Sequence, residues 1–361
     1  MAVTNTGSIG VGLMDDARIE NGIRWQAEHC RRNGAPVTAQ IIDAQVPLMK
    51  SDTAVGRRIA NWPGLPLEDA MPLRLAGGFH HLLLTGDEKR LKPVYRGDIT
   101  DQAAVDVIVA ALVADHEARL LPWLDGPPQT NEAGRSASFM AGLMWLSGRL
   151  GPRFELNELG ASAGINSMMD RYHYDLGGVT AGPPTSPMQI KPEWRGPPPP
   201  DNPVEIVAIK GCDQAPIYLS DAGAALLVKS YVWPENVERI VRMDAAIALA
   251  AQKRPDVVQA DALDWVLERL AAPQTEGVTR VINHSIVWQY IPADKRAAIT
   301  AAIEAAGAKA TIAKPLAWMM LETNRETFAH ELTIRYWPRA EATALLAQAQ
   351  AHGAWVEWFK N

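Results

Sequence analysis

The residues best suited to chemistry lie in one glycine-rich stretch near the middle of the chain, ELGASAGIN (residues 158–166). An acid is followed there by a small-residue turn, in which Gly160 and Gly164 can take positive φ and allow close approach to the backbone. An acidic, small-residue turn of this kind is typical of a site that cradles a nucleotide-like cofactor. The same letters, G-x-S-x-G, also fit the elbow that presents a serine nucleophile in hydrolases.

The elements around this turn predict the fold. RFELNEL, which ends just before the turn, is the first predicted strand, and a helix is expected after GASAG. Further strands are predicted at VEIVAIKG, DVVQAD, VTRVINHS, AKATIAKPLAW, HELTIRYWP and AWVEWFK, and helices at SDAGAALLVKSYVWP, PENVERIVRMDAAIALAAQ, ALDWVLERLAA, ADKRAAITAAIEAAG and AEATALLAQAQAHG. Strands that alternate with helices predict an α/β domain, a mostly parallel, Rossmann-like sheet with helices on both faces.

The chain is predicted to contain two domains. Residues 1–16 look like a flexible lead-in, and residues 17–150 show helical periodicity with no convincing strand. We expect this half to be an α-helical cap that closes part of a cleft. Residues 151–361 form the predicted α/β domain, interrupted at about 177–203 by an insertion rich in proline and glycine that contains at most a hairpin.

The hydrolase interpretation needs a catalytic triad, and the chain order Ser162, Asp261, His284 fits one formally. However, the turn lies on the first predicted strand, whereas several strands precede the elbow in hydrolases. Further strands also follow His284, and no HGGG-type oxyanion loop is present. The order of elements therefore favours the cofactor site, and a plain strand-to-helix turn of small residues is the structural alternative.

The predicted cofactor is S-adenosylmethionine (SAM). An acid two residues before the first glycine is the pattern of SAM enzymes, whereas dinucleotide folds usually have glycine there. Asp213 ends the second strand, where an acid binds ribose hydroxyls, and Asp175 is a competitor for that role. Asp261 follows the third strand, where an acid receives the adenine amino group. The predicted cofactor-binding residues are Glu158, Gly160, Ala161, Ser162, Gly164, Asn166, Asp213, Asp261 and Ala262.

The predicted acceptor site lies beside the fourth strand and in the motif QTNEAGR. His284 is the candidate general base, because imidazole titrates near neutral pH, although a histidine that packs and bonds to backbone is the alternative. Arg135 is expected to pair with Glu158 or to hold a substrate carboxylate. The polar residues before the helix could instead cap it, with Asn131 or its neighbour Thr130 as the cap. The predicted substrate-binding residues are Gln129, Asn131, Glu132, Arg135, Trp288 and Tyr290.

The bulk composition limits the partners. The 361 residues are 47% hydrophobic and 21% charged, with a net charge of −6, which is typical of a globular protein and unlike a general nucleic-acid binder. The two cysteines form neither a disulfide framework nor a structural zinc site, and no run of residues resembles a membrane span or a signal peptide. We expect a cytoplasmic protein that binds a small molecule, without metal, nucleic acid or membrane.

The combined motifs resemble a bacterial family known as domain of unknown function 2332. The matching stretches are PPQTNEAGRSA, ELGASAGINSMMDRYHYDLGG, EWRG, GCDQAPIYLSDAGAALLVKSYVWPENVERIVRMDAAIALA, DAL and HSIVWQYIP, together with RWQAEHC and PLRLAGGFHHLLLTG. The resemblance implies a SAM-methyltransferase-like fold behind a helical N-terminal extension. We predict methyl transfer to an unidentified small molecule. The alternatives are a non-catalytic sensor or interaction module that binds SAM or a nucleotide, a serine hydrolase and a nicotinamide-dependent oxidoreductase.

Overall fold

The computed structural model describes residues 16–128, 131–338 and 342–359, and it divides into two compact units. The first unit comprises residues 1–129 together with residues 226–237, and the second comprises residues 130–225 and 238–361. The predicted lead-in of residues 1–16 lies, apart from Asp16, outside the described residues. No helix in the described residues is both long enough and apolar enough to cross a bilayer.

The first unit is helical in its described part. Its helices are α1 (Asp16–Arg32), α2 (Pro36–Asp43), α3 (Gln45–Leu48), α4 (Ala54–Ala60), α5 (Met71–Leu84), α6 (Lys92–Tyr95) and α7 (Gln102–Leu120). Ile19, Ile23 and Ala27 recur at helical spacing along α1 and are fully buried, which confirms the periodicity seen in the sequence. Asp101 caps α7, because its side chain accepts a hydrogen bond from the Ala104 amide.

The short segment 226–237 is part of the first unit although the chain on both sides of it belongs to the second. Glu235 accepts hydrogen bonds from the amide and the hydroxyl of Thr38, at 2.8 and 2.7 Å. The Ser230 carbonyl lies 3.1 Å from His80 Nδ1, and burial lowers the pKa of His80 to about 4. Neutral His80 therefore donates to this carbonyl inside the helical unit.

The second unit alternates strands and helices. Its elements are α8 (Ser136–Leu150), β1 (Arg153–Leu159), β2 (His173–Leu176), β3 (Val179–Ala181), β4 (Gln189–Ile190), β5 (Glu193–Arg195), β6 (Glu205–Asp213), α9 (Ala222–Ser230, which continues into the first unit), α10 (Val237–Gln252), β7 (Val257–Gln259), α11 (Ala262–Ala271), β8 (Thr279–Ser285), α12 (Ala293–Gly307), β9 (Leu316–Thr323), β10 (His330–Trp337), β11 (Ala344–Ala349) and β12 (Trp355–Trp358). Helix α8, which the sequence analysis placed in the helical half, lies in this unit.

A large, mostly parallel sheet organises the second unit. Its strand order is β5-β12-β11-β10-β9-β8-β1-β6-β7, and the five strands from β9 to β7 are all parallel. In this sheet β1 comes first along the chain. Strands β6 and β7 then follow on one side of β1, and the chain crosses over to place β8 and β9 on the other side. In open α/β sheets, ligands bind outside the carboxyl ends of the strands at such a reversal of strand order. The candidate site therefore belongs at the carboxyl end of β1.

Helices cover both faces of the sheet. Trp265 of α11 and Ile299 of α12 pack with Leu159 and Trp318 on one face. Met319 follows Trp318 along β9 and therefore points to the opposite face. It packs against α8, because a Cβ added at Gly142 of that helix would lie 2.9 Å from the Met319 sulfur. The mixed α/β class predicted from the sequence is therefore confirmed.

Two element predictions are wrong. The stretch predicted as a helix at AEATALLAQAQAHG contains strand β11, which pairs antiparallel with both β10 and β12. Its alanine and leucine residues favour helix, but sheet pairing and burial of Leu346, Ala347 and Ala349 override that preference. After the GASAG turn, a short 3-10 helix over Asn166–Arg171 replaces the expected α-helix. The insertion forms the β2–β3 hairpin of a separate three-stranded sheet with β4, and it also supplies β5.

Candidate functional site

The turn after β1 has an unusual backbone. Gly160, Ser162 and Gly164 all take left-handed conformations, with φ of 65°, 51° and 69°. A Cβ at Gly160 would lie 2.3 Å from Val287 Cγ2, and one at Gly164 would lie 2.7 Å from Pro255 Cγ. Close packing against the protein, in addition to positive φ, therefore requires glycine at both positions.

Asp213, at the end of β6, ties this turn to the neighbouring strand. Its Oδ2 accepts from the Ser162 amide at 2.8 Å, and its Oδ1 accepts from the Ala215 amide at 2.9 Å. The Ala161 amide donates to the Cys212 carbonyl at 2.9 Å. Each carboxylate oxygen of half-buried Asp213 keeps a further lone pair, so this group can still accept a hydrogen bond from a ligand.

Asn131 holds the same turn from the other side. Its Oδ1 accepts from the Ile165 amide at 2.8 Å, and its Nδ2 donates to the Ala161 carbonyl at 3.2 Å. The alternative role of helix cap does not apply to Asn131, because α8 begins only at Ser136 after a 3-10 turn over Ala133–Arg135. Asn131 is thus a positioning residue for the turn. Its neighbours Gln129 and Thr130 lie outside the described residues.

Glu158 is a buried carboxyl group at the end of β1. Only 2% of the residue is exposed, and burial raises its pKa to about 7 although Ser167 donates a hydrogen bond to it at 2.5 Å. Glu158 pairs in register with Asn283 of β8, so the two side chains are neighbours on one face. The amide oxygens of Asn283 and Asn166 are buried and accept no hydrogen bond from any residue that the structure describes. Polar groups in this state are uncommon in native proteins and indicate a functional site.

His284 is fully buried, and both of its ring nitrogens are occupied. Nε2 accepts from the Trp318 indole at 3.0 Å, and Nδ1 lies 2.7 Å from a Glu322 carboxylate oxygen. Because an indole N–H can only donate, Nε2 is the acceptor and Nδ1 carries the hydrogen. No lone pair remains for a substrate proton. The expected role as general base therefore does not match its contacts, and His284 is a positioning residue.

Glu322, at the end of β9, was not found from the sequence. Besides His284, its Oε1 accepts from the amides of Val287 and Trp288, at 3.1 and 3.3 Å. Trp288 stacks on His284 with ring centroids 4.7 Å apart, so it supports the loop after β8. Tyr290 is exposed. The strand predicted at AKATIAKPLAW ends at Trp318, whereas β9 continues to Thr323, so nothing in the sequence indicated that Glu322 lies at the end of a strand.

The other predicted acids occupy different places. Asp261 caps α11, whose first residue is Ala262, by accepting from the Leu263 amide at 3.0 Å. It also pairs with Lys295 at 2.6 Å, and that contact lowers its pKa. Since His284 binds Glu322, the set Ser162, Asp261 and His284 is not connected as a triad.

Asp175 is separated from the turn in the fold. It lies on β2 of the three-stranded sheet, where it binds the Gly178 amide at 3.0 Å and Lys191 at 2.8 Å. Asp213 is the acid at the end of a strand adjacent to β1. Of the two candidate acids, Asp213 is therefore the one bonded to the turn.

Glu132 and Arg135 form part of a buried charge cluster. Glu132 pairs with Arg239 Nε at 2.7 Å and with Arg242 Nε at 3.4 Å. Arg135 donates to the carbonyls of Ala351 and Ser285, at 2.8 and 3.4 Å. Within the described residues it makes no ion pair with Glu158, which was one of its two expected roles. The two α10 arginines were missed, although their i, i+3 spacing in VERIVRM was a visible signal for a shared helix face.

Comparison with known proteins adds one result. A family model described as "Uncharacterized protein conserved in bacteria (DUF2332)" matches residues 20–358. The chain belongs to this family. No curated protein and no solved structure matches it.

The DUF2332 match extends from α1 to β12, and it therefore includes every predicted site residue. The family description gives occurrence in bacteria and no reaction, so the function is argued from the geometry. In the part of this DUF2332 chain that the structure describes, no group of three or more His, Cys, Asp or Glu side chains could hold a metal ion.

Proposed function

We propose that this protein binds SAM at the carboxyl edge of its parallel sheet and transfers the methyl group to a small molecule. One observation carries the proposal. Glu158 and Asp213 lie at the carboxyl ends of β1 and β6, and Asp261 follows β7, so three adjacent parallel strands each place an acid around a glycine turn. A Rossmann-like SAM-methyltransferase fold has its acids at these places, and the strand order from β7 to β9 suits that fold.

The chemistry of the side chains suits SAM. Asp213 keeps lone pairs for the two ribose hydroxyls. The undonated amide oxygens of Asn166 and Asn283 lie beside Glu158 and need N–H or O–H donors, which an amino group would supply. Asp261 is the acid for the adenine amino group, although Lys295 already occupies one of its oxygens. When bound, SAM supplies a methyl group already activated on its sulfonium.

The contribution of the protein is then binding and alignment. A methyl acceptor must be held in line with the methyl carbon and the sulfur, and this alignment can account for much of the rate. Removal of a proton from the acceptor does not pass through His284, because Trp318 occupies its only lone pair.

A second candidate function follows from that observation. A protein that binds SAM without turnover, as a sensor or an interaction module, needs no proton acceptor at all. The closed arrangement of His284, Trp318 and Glu322 suits such a function as well as it suits an enzyme.

Isothermal titration of the full chain with SAM and with S-adenosylhomocysteine tests the binding proposal. We expect micromolar affinity, about −8 kcal/mol, for the wild type. Asp213→Asn should weaken binding about tenfold or more, because a ribose hydroxyl of SAM then loses its negatively charged hydrogen-bond acceptor. Asp175→Asn is the matched control, with the same change in charge on the separate small sheet, and should bind normally. A valine at position 160 is unsuitable, since it would collide with Val287.

Failure of the folded wild type to bind either compound would overturn the proposal. If binding occurs, transfer of isotopically labelled methyl from SAM to a pool of small acceptors separates the two functions. Labelled product indicates the enzyme, and binding without product across the pool indicates the sensor. Labelling of Ser162 by a fluorophosphonate would instead favour the hydrolase, and titration with NAD(H) tests the oxidoreductase.

A further inference from the structure

Three arginines of the second unit form a group that the proposed function has not used. We call Arg135, Arg239 and Arg242 the guanidinium cluster. Arg135 is 9% exposed, and the side chains of Arg239 and Arg242 are 11% and 17% exposed. Charged groups are rarely buried to this extent unless they are paired.

The buried negative charge at the cluster is smaller than its positive charge. Glu132 is the carboxylate that pairs with Arg239 and Arg242, and it carries a single charge. Glu238 is 3.8 Å from Arg242, but its side chain is 93% exposed, so water screens that pair. Glu322 and Glu158 also attract Arg135 electrostatically, but neither forms an ion pair with it in the described residues. The cluster therefore retains excess positive charge.

Most N–H groups of the cluster have no acceptor in the described residues. Each guanidinium has five N–H donors, yet Arg239 donates only through Nε. Nε of Arg242 is buried and makes no hydrogen bond in the described residues, although a Glu132 oxygen lies 3.4 Å away. Nδ1 of His352 is also buried and makes no hydrogen bond with a described residue, and it lies 3.9 Å from Glu132. Burial and the nearby arginines lower the pKa of His352 to about 3, so its ring is neutral. A buried donor left without an acceptor, such as Nε of Arg242, is costly unless a ligand supplies an oxygen.

The cluster lies at the carboxyl edge of the sheet. Arg135 donates to the carbonyl of Ser285, the last residue of β8. Glu132 directly follows Asn131, which holds the turn after β1. Strands β1 and β8 are neighbours, so the unused donors lie beside the proposed cofactor site.

We propose that the guanidinium cluster binds the oxyanion, carboxylate or phosphate, of a small acidic second ligand. The planar guanidinium presents paired donors that match both groups. The role of this ligand as methyl acceptor rests on the proposed function, whereas anion binding itself does not.

The test is titration of the full chain with inorganic phosphate and with succinate, and with the uncharged diamide of succinate as the ligand control. Arg242→Gln removes one guanidinium of the cluster. Arg269→Gln is the matched control, because Arg269 has a 12% exposed side chain and donates to Asn157 and Glu155 instead. Circular dichroism and thermal melting confirm that each variant is folded.

We expect the wild type to bind at least one anion and not the diamide. Arg242→Gln should weaken that binding about tenfold or more, and Arg269→Gln should change it less than about twofold. The tighter anion identifies the ligand class. If Arg242→Gln does not fold, Arg242→Lys replaces it, since lysine keeps the charge but loses the paired donors, and we expect an intermediate loss.

Three results would overturn the proposal. The first is no binding of either anion by the wild type at about 10 mM, and the second is equal binding by both variants and the wild type. In the third, Arg242→Gln weakens S-adenosylhomocysteine as much as succinate, which would assign the cluster to the carboxylate of the cofactor. If the protein binds an anion through Arg242 but binds no SAM, the proposed function is wrong and the anion site is still supported.

Discussion

The substitution Gly160→Ala should destabilise the protein through two separable effects. An L-residue in the left-handed region costs about 1–2 kcal/mol, and the backbone at Gly160 has φ +65°. The new Cβ would also lie 2.3 Å from Val287 Cγ2 and 2.9 Å from Val287 Cβ. Relief of such an overlap costs about 1–3 kcal/mol. The expected total loss of unfolding free energy is about 2–5 kcal/mol.

Gly277→Ala isolates the backbone effect. Gly277 has φ +72°, and a Cβ there would meet nothing within 4 Å, so its loss should be only about 1–2 kcal/mol. Val287→Ala relieves most of the overlap, because it removes both Cγ atoms that the new methyl group meets and leaves only the Cβ contact at 2.9 Å. In the double mutant, we expect about 1–2 kcal/mol of the Gly160→Ala loss to be recovered after the cost of Val287→Ala alone is subtracted.

Chemical denaturation measures these differences. Far-UV circular dichroism and tryptophan fluorescence should be followed together, because a chain with two units needs proof of a single transition. Equal losses for Gly160→Ala and Gly277→Ala, within about 0.5 kcal/mol, would refute the argument that Val287 packs against the turn. An additive double mutant would refute it equally.

Three further predictions concern the same region. The pKa of Glu158 rises from 4.5 to about 7 on folding. Its stabilising contribution is therefore full below about pH 4.5 and is lost as the pH rises through 7, a change of about 3 kcal/mol in the unfolding free energy. Glu158→Gln should flatten this pH dependence in denaturation curves. Glu322→Ala strands the donors of His284, Val287 and Trp288 and should cost about 2–4 kcal/mol with a shift in tryptophan emission; unchanged stability would contradict the geometry. Ser162→Gly should raise the unfolding free energy by about 1 kcal/mol, because glycine takes positive φ without strain. The denaturation midpoint should rise accordingly, and a lower midpoint would show that contacts of the serine side chain stabilise the turn.

Local patterns were sufficient for much of the fold. RFELNEL is strand β1 to the residue, because apolar Phe154 and Leu156 alternate with polar neighbours between two segments of turn residues, which is a strand pattern. The stretch that contains β11 was mispredicted because Ala, Leu and Gln favour helix, and only its pairing between β10 and β12 makes it a strand. Long-range pairing of this kind has no signature within the segment itself.

The candidate site shows the same limit. Glu158 and Asp213 were recognisable from their places at strand ends, which are local features. Their partners come from distant parts of the chain, as Glu322 does for His284 and Arg239 does for Glu132. The position of His284 at a strand end indicated that it lies near the site. Only the hydrogen bond from the Trp318 indole to its ring showed that it cannot take a proton.

The path of residues 226–237 has a consequence for biosynthesis. The helical unit contains this segment, and Thr38 and His80 are bonded to it. Residue 237 is translated 108 residues after residue 129, which takes about 5–20 s at ribosomal rates. The N-terminal unit therefore remains incomplete during the synthesis of β1 and β6. An N-terminal fragment that stops at residue 129 would lack the segment 226–237 of its own unit.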